Sequence, residues 1–163
     1  MKKAYFEVLK IYSTMPKIRV TRKFSFEMAH ALYEYDGLCR NIHGHTYQLE
    51  VCLLGEVKNE AGHPKDGMVI DFGKLKGIVK QHVVDVFDHS LLVNSQFPEE
   101  NISAFRKATE RLIVVGFQPT TENLVLHFVE ILQQELPSNV SLFSMRLYET
   151  SNSFAEWFAA DNP

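Results

Sequence analysis

The chain has 163 residues, 45% of them hydrophobic, and a formal net charge of −3 at pH 7. This length and composition predict one domain, residues 1–163, with a sizeable core. The weakly acidic balance argues against nucleic acid as a partner. The sequence shows no membrane-spanning apolar run and no signal-peptide core, so a cytoplasmic location and no membrane association are expected.

The first part of the chain is typical of strands separated by turns. Two strands are expected, over residues 4–12 and 17–29, followed by a loop over residues 31–42. A long strand is predicted over residues 45–57. Asn, Gly and Pro residues then indicate a connection over residues 58–67.

The middle of the chain contains the first predicted helix. Residues 68–71 are expected to be extended, and Asp71 is a plausible N-cap for a helix over residues 73–86. The stretch that follows has a less regular pattern. It is compatible with a short helix over residues 103–110 and a short strand over residues 111–115.

The last part of the chain predicts a second helix and two strands. Thr120 or Thr121 caps a helix over residues 122–136, whose apolar residues keep helical spacing. Strands are expected over residues 140–148 and 154–158. The order of strands, helix, helix and strands predicts an α+β fold, with helices on one face of an antiparallel sheet.

The most informative motif is the His-Gly-His sequence at residues 43–45. Alternate strand residues share a face, so His43 and His45 point to the same side and could bind one divalent ion. His30 ends another strand-like run, and three imidazoles with one open position are typical of catalytic zinc. Gly44 would let a ligand or a second backbone approach. The alternative is that the histidines form an ordinary polar strand face.

The two cysteines lie in different environments. Cys39 lies among polar residues just before the His-Gly-His motif, whereas Cys52 lies in an apolar run and is expected to be a small core residue. A disulfide between them is not expected in a reducing compartment.

Several separated motifs together resemble the 6-pyruvoyltetrahydropterin synthase and 6-carboxytetrahydropterin synthase family. They occur in the family's order and cover most of residues 24–158. The matching motifs are Phe26-Glu27-Met28-Ala29-His30, Cys39-x-x-x-His43-Gly44-His45, Gly67-Met68-Val69-Ile70-Asp71-Phe72, Phe87-Asp88-His89, Pro119-Thr120-Thr121-Glu122-Asn123-Leu124 and Leu147-Tyr148-Glu149-Thr150.

The resemblance implies a role for each matching position. The implied zinc ligands are His30, His43 and His45. The implied proton-transfer residues are Cys39, Asp88 and His89. The residues implied to bind the pterin are Glu149, Thr120 and Thr121. Taken alone, Asp88 and His89 could instead be a helix-end charge and a surface imidazole, and the two threonines could act only as caps.

The resemblance also implies an assembly and a reaction. The family's tunnelling fold is a four-stranded antiparallel sheet with two helices on one face, and three copies close a barrel that stacks into a hexamer. The implied substrate is 7,8-dihydroneopterin triphosphate. The Cys-x-x-x-His-Gly-His spacing resembles the 6-carboxytetrahydropterin synthases of queuosine precursor synthesis, and Arg40-Asn41-Ile42 lacks the carboxylate of the folate branch.

Three functions remain open from the sequence. The first is a zinc-dependent lyase that forms 6-carboxy-5,6,7,8-tetrahydropterin with release of acetaldehyde and triphosphate. The second is a 6-pyruvoyltetrahydropterin synthase. The third is a non-catalytic, metal-stabilised binding protein of the same fold. Residues 99–118 form an insert that compact members of the family do not need, and residues 1–23 carry little of the resemblance.

Overall fold

A computed structural model describes residues 16–163 and shows one six-stranded sheet. The expected strand over residues 4–12 lies outside the described residues. The strands, in the order in which they lie side by side, are β4 (Leu112–Val115), β3 (Ser90–Asn94), β1 (Lys17–Ala31), β2 (His43–Glu56), β5 (Val140–Tyr148) and β6 (Phe154–Phe158).

The two long strands β1 and β2 form the centre of the sheet. They pair antiparallel from Lys17 opposite Glu56 to His30 opposite His43. Phe26 and Tyr47 lie opposite each other in this ladder and are both buried. Since strand residues alternate between faces, His30, His43 and His45 lie on the same face as this buried pair.

Helices cover the buried face of the sheet. The helix α1 (Phe72–Val79) continues through a π-helical segment (Lys80–Val84) into the short helix α2 (Asp85–Phe87), and α4 spans Thr121–Glu135. Asp71 caps α1 as predicted, because its side chain accepts a hydrogen bond from the Gly73 N–H at 2.6 Å. The core contains side chains from both layers, including Leu49, Leu53, Leu75, Val79, Leu124, Phe128, Leu132 and Leu147.

The expectation of a four-stranded antiparallel sheet is wrong in two respects. The sheet has six strands, and β3 and β4 are parallel to β1. Ser90–Asn94 is buried along its whole length, so it shows no alternation from which a strand could be recognised. Residues 68–71 were expected to be extended, but they form a bend that leads into α1.

The insert contains a third helix. It spans Glu99–Ala108 (α3), earlier than the predicted 103–110, and begins directly after Pro98. The strand predicted at 111–115 is present as β4. Among residues 16–163, no helix combines the length and the apolar composition that a membrane crossing requires.

Candidate metal centre

Three histidine side chains meet at one end of the β1–β2 pair. The ligand atoms of His30, His43 and His45 all lie within 4.8 Å of one another. His30 and His43 are opposite each other in the ladder, and His45 follows two residues along β2. The structure therefore brings together the three residues that the sequence predicts as metal ligands.

Backbone carbonyls orient two of these rings. The Nδ1 atom of His30 lies 2.8 Å from the Pro119 carbonyl oxygen, and Nδ1 of His43 lies 2.9 Å from the carbonyl oxygen of Asn41. A carbonyl can only accept, so each Nδ1 carries the hydrogen and each Nε2 presents a lone pair. The two Nε2 atoms lie 3.1 Å apart, which is close enough for one ion to bind both.

The donor set fits a zinc ion. The Nε2 atom of His45 is buried and has no hydrogen-bond partner in the protein, so it is available as a third ligand. Burial lowers the pKa of His30, which favours the neutral imidazole that a metal requires. Three imidazole nitrogens that converge on one point are typical of catalytic zinc sites.

Gly44 lies between two of the candidate ligands, where β1 approaches closely. A Cβ atom at this position would lie only 3.3 Å from the Met28 carbonyl oxygen. The backbone that approaches Gly44 is therefore that of β1.

Glu149 lies beside the histidine centre. Its Oε1 atom is 3.5 Å from His30 Nε2 and 3.8 Å from His45 Nε2. It follows directly after β5, in which Leu147 pairs with Leu49 of β2. This places a partly exposed carboxylate beside the centre, where it could accept hydrogen bonds from a bound ligand.

The start of α4 forms another part of the surroundings. The Thr120 side chain caps the helix by accepting a hydrogen bond from the Asn123 N–H at 3.4 Å. Thr121 is the first helical residue, and its buried hydroxyl has no hydrogen-bond partner. Since Pro119 directly precedes the cap and holds His30, both threonines lie close in sequence to a residue that contacts the centre.

Cys39 lies in a short 3₁₀ helix, Leu38–Arg40, within the loop that joins β1 to β2. Its carbonyl oxygen accepts a hydrogen bond from the Leu32 N–H at 2.9 Å, which ties this turn to the end of β1. The thiol of Cys39 is free and half-buried, whereas Cys52 is free and buried. Cys39 is therefore accessible to a ligand, as its predicted role requires.

Asp88 and His89 form a pair at the turn between α2 and β3. His89 Nδ1 lies 3.0 Å from Asp88 Oδ2, and Asp88 Oδ1 accepts a hydrogen bond from the Glu27 N–H at 2.9 Å. The bond from Glu27 is the main reason that the pKa of Asp88 is lowered. His89 adopts a left-handed conformation with φ of 58° and donates its backbone N–H to the Glu27 carbonyl at 2.6 Å.

Within the described residues, this pair forms no hydrogen bond or ion pair with the three histidines. The His89 side chain is 73% exposed and borders a cavity of about 610 Å³ that His45, Glu27, Thr46 and Phe105 of α3 also line. Glu27 and Thr46 alternate with the histidine-bearing positions, so they face the other side of the sheet. No hydrogen bond or ion pair within residues 16–163 connects Cys39 to Asp88 or His89.

Two residues near the centre were not predicted from the sequence. The carbonyl of Pro119 holds His30, but a backbone acceptor 89 positions away leaves no pattern in the sequence. Tyr47 shares the face of His43 and His45, and its ring lies 5.6 Å from that of His45. The period-two alternation after His45 was a signal that could have identified Tyr47.

Comparison with known proteins shows the family. Residues 19–160 match the family described as 6-pyruvoyl tetrahydropterin synthase. The chain belongs to the 6-pyruvoyl tetrahydropterin synthase family. It is 36% identical over 141 residues to the 6-carboxy-5,6,7,8-tetrahydropterin synthase of Haemophilus influenzae, covering 85% of this chain and 97% of that one.

Two further similarities show the range within this family. The chain is 34% identical over 146 residues to the dihydroneopterin monophosphate aldolase of Pyrococcus furiosus, covering 86% of this chain and 99% of that protein. The solved structure of Caenorhabditis elegans 6-pyruvoyl tetrahydropterin synthase aligns with a TM-score of 0.63 and 28% identity, covering 88% and 96% of the two chains. Relatives with the same fold thus carry names of different pterin reactions.

Proposed function

We propose that this protein is a zinc-dependent lyase that converts 7,8-dihydroneopterin triphosphate and water to 6-carboxy-5,6,7,8-tetrahydropterin, acetaldehyde and triphosphate. The observation that carries the proposal is the cluster of His30, His43 and His45, with its ligand nitrogens within 4.8 Å of one another. The similarity to the Haemophilus influenzae protein supports the choice of product. Such a reaction would supply a precursor for queuosine synthesis.

The histidine centre would hold the zinc, which when bound would supply positive charge that polarises side-chain oxygens of the substrate. Glu149 would accept hydrogen bonds from the amide and amino edge of the pterin, with Thr120 and Thr121 nearby. Cys39 would remove a proton from a side-chain carbon as a general base. Asp88 would orient His89 through their 3.0 Å contact, and His89 would move a second proton.

A second copy of the chain would complete this machinery. Within the described residues, Asp88 and His89 form no hydrogen bond or ion pair with the histidine centre, and the His89 side chain is mostly exposed. The strands at the two ends of the described sheet, β4 and β6, each have an edge that pairs with no strand among residues 16–163. Pairing with copies of the chain would cover these edges. We therefore propose a trimer, doubled to a hexamer, with sites lined by two subunits.

Two other functions remain as competing proposals. The match to the 6-pyruvoyl tetrahydropterin synthase family supports a reaction that ends at a different product, 6-pyruvoyltetrahydropterin. A non-catalytic binding protein would need the metal centre but not Cys39, Asp88 or His89. The presence of all three residues argues for catalysis.

Product analysis distinguishes these functions. Zinc-loaded protein is incubated with 7,8-dihydroneopterin triphosphate, the pterin product is identified by mass, and acetaldehyde is assayed separately. We expect 6-carboxytetrahydropterin with one acetaldehyde per turnover. A pyruvoyl product without acetaldehyde would support the synthase alternative, and the absence of any turnover would support the binding protein.

We also propose that residues 1–163 act as one pterin-synthase-like domain in the cytoplasm. One sheet and one continuous core connect the described elements, which supports a single domain. Cys39 and Cys52 are both free, which is usual for proteins of a reducing compartment.

A further inference from the structure

Tyr47 forms the buried side of the histidine centre. It is 0% exposed, and its ring stacks on Phe26 with 5.5 Å between centroids. The rings of His30 and His45 contact it edge-on, at 6.2 and 5.6 Å between centroids. Neighbours on several sides therefore hold the phenol in one position.

The Tyr47 hydroxyl has no hydrogen-bond partner in the protein. Among residues 16–163, three buried side-chain polar atoms lack a partner: His45 Nε2, Tyr47 Oη and Thr121 Oγ1. A buried hydroxyl without a partner costs free energy, and such groups are rare in folded proteins. A zinc ion would account for His45 Nε2. The zinc ion would not account for the tyrosine hydroxyl, because a neutral phenol donates its hydrogen bond to an oxygen or nitrogen atom.

The hydroxyl lies near the residues proposed to act on the substrate. Leu147 pairs with Leu49, so two residues further along this antiparallel ladder Glu149 comes beside Tyr47. Glu149 also reaches within 3.5 Å of His30 Nε2. Tyr47 thus lies beside a proposed ring anchor and packs against two of the proposed metal ligands.

We propose that Tyr47 is a substrate-positioning residue whose hydroxyl donates a hydrogen bond to a side-chain oxygen of the bound pterin. This inference rests on the proposed function, because it requires a pterin at the histidine centre. The class of ligand is a pterin that carries hydroxyl groups on the carbon chain at position 6. Tyr47 would hold that chain beside the histidine centre.

The alternative is that the hydroxyl rotates to hold the Glu149 carboxylate, in which case it would affect ring binding instead. Two oxidised, fluorescent pterins separate these roles. Neopterin carries a trihydroxypropyl chain, whereas 6-methylpterin has the same ring without hydroxyl groups. A bond to the chain would affect only neopterin, and a bond to Glu149 would affect both ligands.

The experiment measures the affinity of both pterins for the zinc-loaded protein by fluorescence titration. The variant is Tyr47→Phe, and its control is Tyr148→Phe. The Tyr148 hydroxyl accepts a hydrogen bond from Arg146 at 2.8 Å, in a half-buried side-chain pair on the face of the sheet opposite Tyr47. Zinc content and the urea unfolding of zinc-free protein are measured for all three proteins.

We expect Tyr47→Phe to weaken neopterin binding by roughly 3- to 10-fold and to leave 6-methylpterin binding and zinc content unchanged. Zinc-free Tyr47→Phe should be at least as stable as the wild type, because the substitution removes an unpaired buried group. Tyr148→Phe should lose some stability and bind both pterins normally.

Three results would overturn the inference. If Tyr47→Phe binds both pterins equally more weakly, the hydroxyl bonds to Glu149 and not to the pterin side chain. If neopterin binding is unchanged, the hydroxyl contacts no ligand. A clear loss of stability in zinc-free Tyr47→Phe would show that the hydroxyl already has a partner in the protein. If the wild type binds neither pterin but turns over 7,8-dihydroneopterin triphosphate, this inference fails while the proposed function stands. If it also forms no product, both fail.

Discussion

The His43→Ala variant tests the metal centre directly. In the wild type, zinc at about 100 times its dissociation constant should stabilise the fold by about 2.7 kcal/mol. For a chain of 163 residues, this corresponds to a rise in melting temperature of roughly 5–11 °C. His43→Ala removes one of three ligands, so this zinc-dependent rise should disappear.

The direct structural cost of the substitution should be much smaller. His43 is half-buried, and its contact with the protein backbone is the 2.9 Å hydrogen bond from Nδ1 to the carbonyl of Asn41. Losing such a bond costs about 1 kcal/mol, so zinc-free His43→Ala should melt only roughly 2–4 °C below the zinc-free wild type. The loss of the zinc effect is therefore separable from a packing defect.

Calorimetry with and without zinc, together with elemental analysis, measures both effects. His82→Ala serves as the control, because His82 lies in the π-helical segment and its Nε2 is 3.5 Å from Glu135. That variant should keep about one zinc per chain and the full zinc-dependent rise. If His43→Ala retained its zinc and the same rise, the three-histidine assignment would be refuted.

The remaining predictions concern proton transfer, pH and assembly. Cys39→Ala should keep its zinc but lose roughly 10²-fold or more in turnover, whereas Cys52→Ala should affect packing alone; loss of zinc in Cys39→Ala would make Cys39 a ligand. The pKa of Asp88 lies below its ordinary value of 3.8, so its contribution to stability should be present above pH 3.8 and be lost as the pH falls through the lowered pKa. Urea unfolding should therefore show Asp88→Asn to be less stable than the wild type at pH 7, with a difference that shrinks in acid; a difference that grew in acid would contradict this sign. Mixing inactive Cys39→Ala and His89→Ala proteins should restore some activity if the two residues reach a shared site from different chains. Light scattering should show a trimer or hexamer. An active monomer would overturn the proposed assembly.

Much of the fold could be predicted because local patterns and caps determine individual elements. The strand over residues 140–148 and the strand over 154–158 have the predicted bounds. Asp71 and Thr120 cap their helices through side-chain hydrogen bonds that need only a few neighbouring residues. Such features depend on spacing along the chain, which the sequence shows directly.

The parallel part of the sheet could not be predicted in the same way. Ser90–Asn94 is short and buried throughout, so periodicity does not distinguish it from the end of the preceding helix. β3 pairs with β1, and β4 pairs with β3. Both pairings depend on contacts between residues more than 15 positions apart in the chain. The resemblance to a four-stranded family fold therefore led to too few strands.

For the candidate site, the sequence alone determined which histidines share a face, because the period of a strand makes His43 and His45 neighbours in any fold that keeps the strand. Only the tertiary structure decided that His30 lies opposite His43. It also decided that the carbonyls of Pro119 and Asn41 orient the rings of His30 and His43. Tyr47 packs against His45 on the buried side of the centre, which again depends on the tertiary structure. It also decided that Asp88 and His89 pair with each other and, among residues 16–163, share no hydrogen bond or ion pair with Cys39. These relations depend on strand register and on how distant segments pack, and local spacing along the chain does not determine either of them.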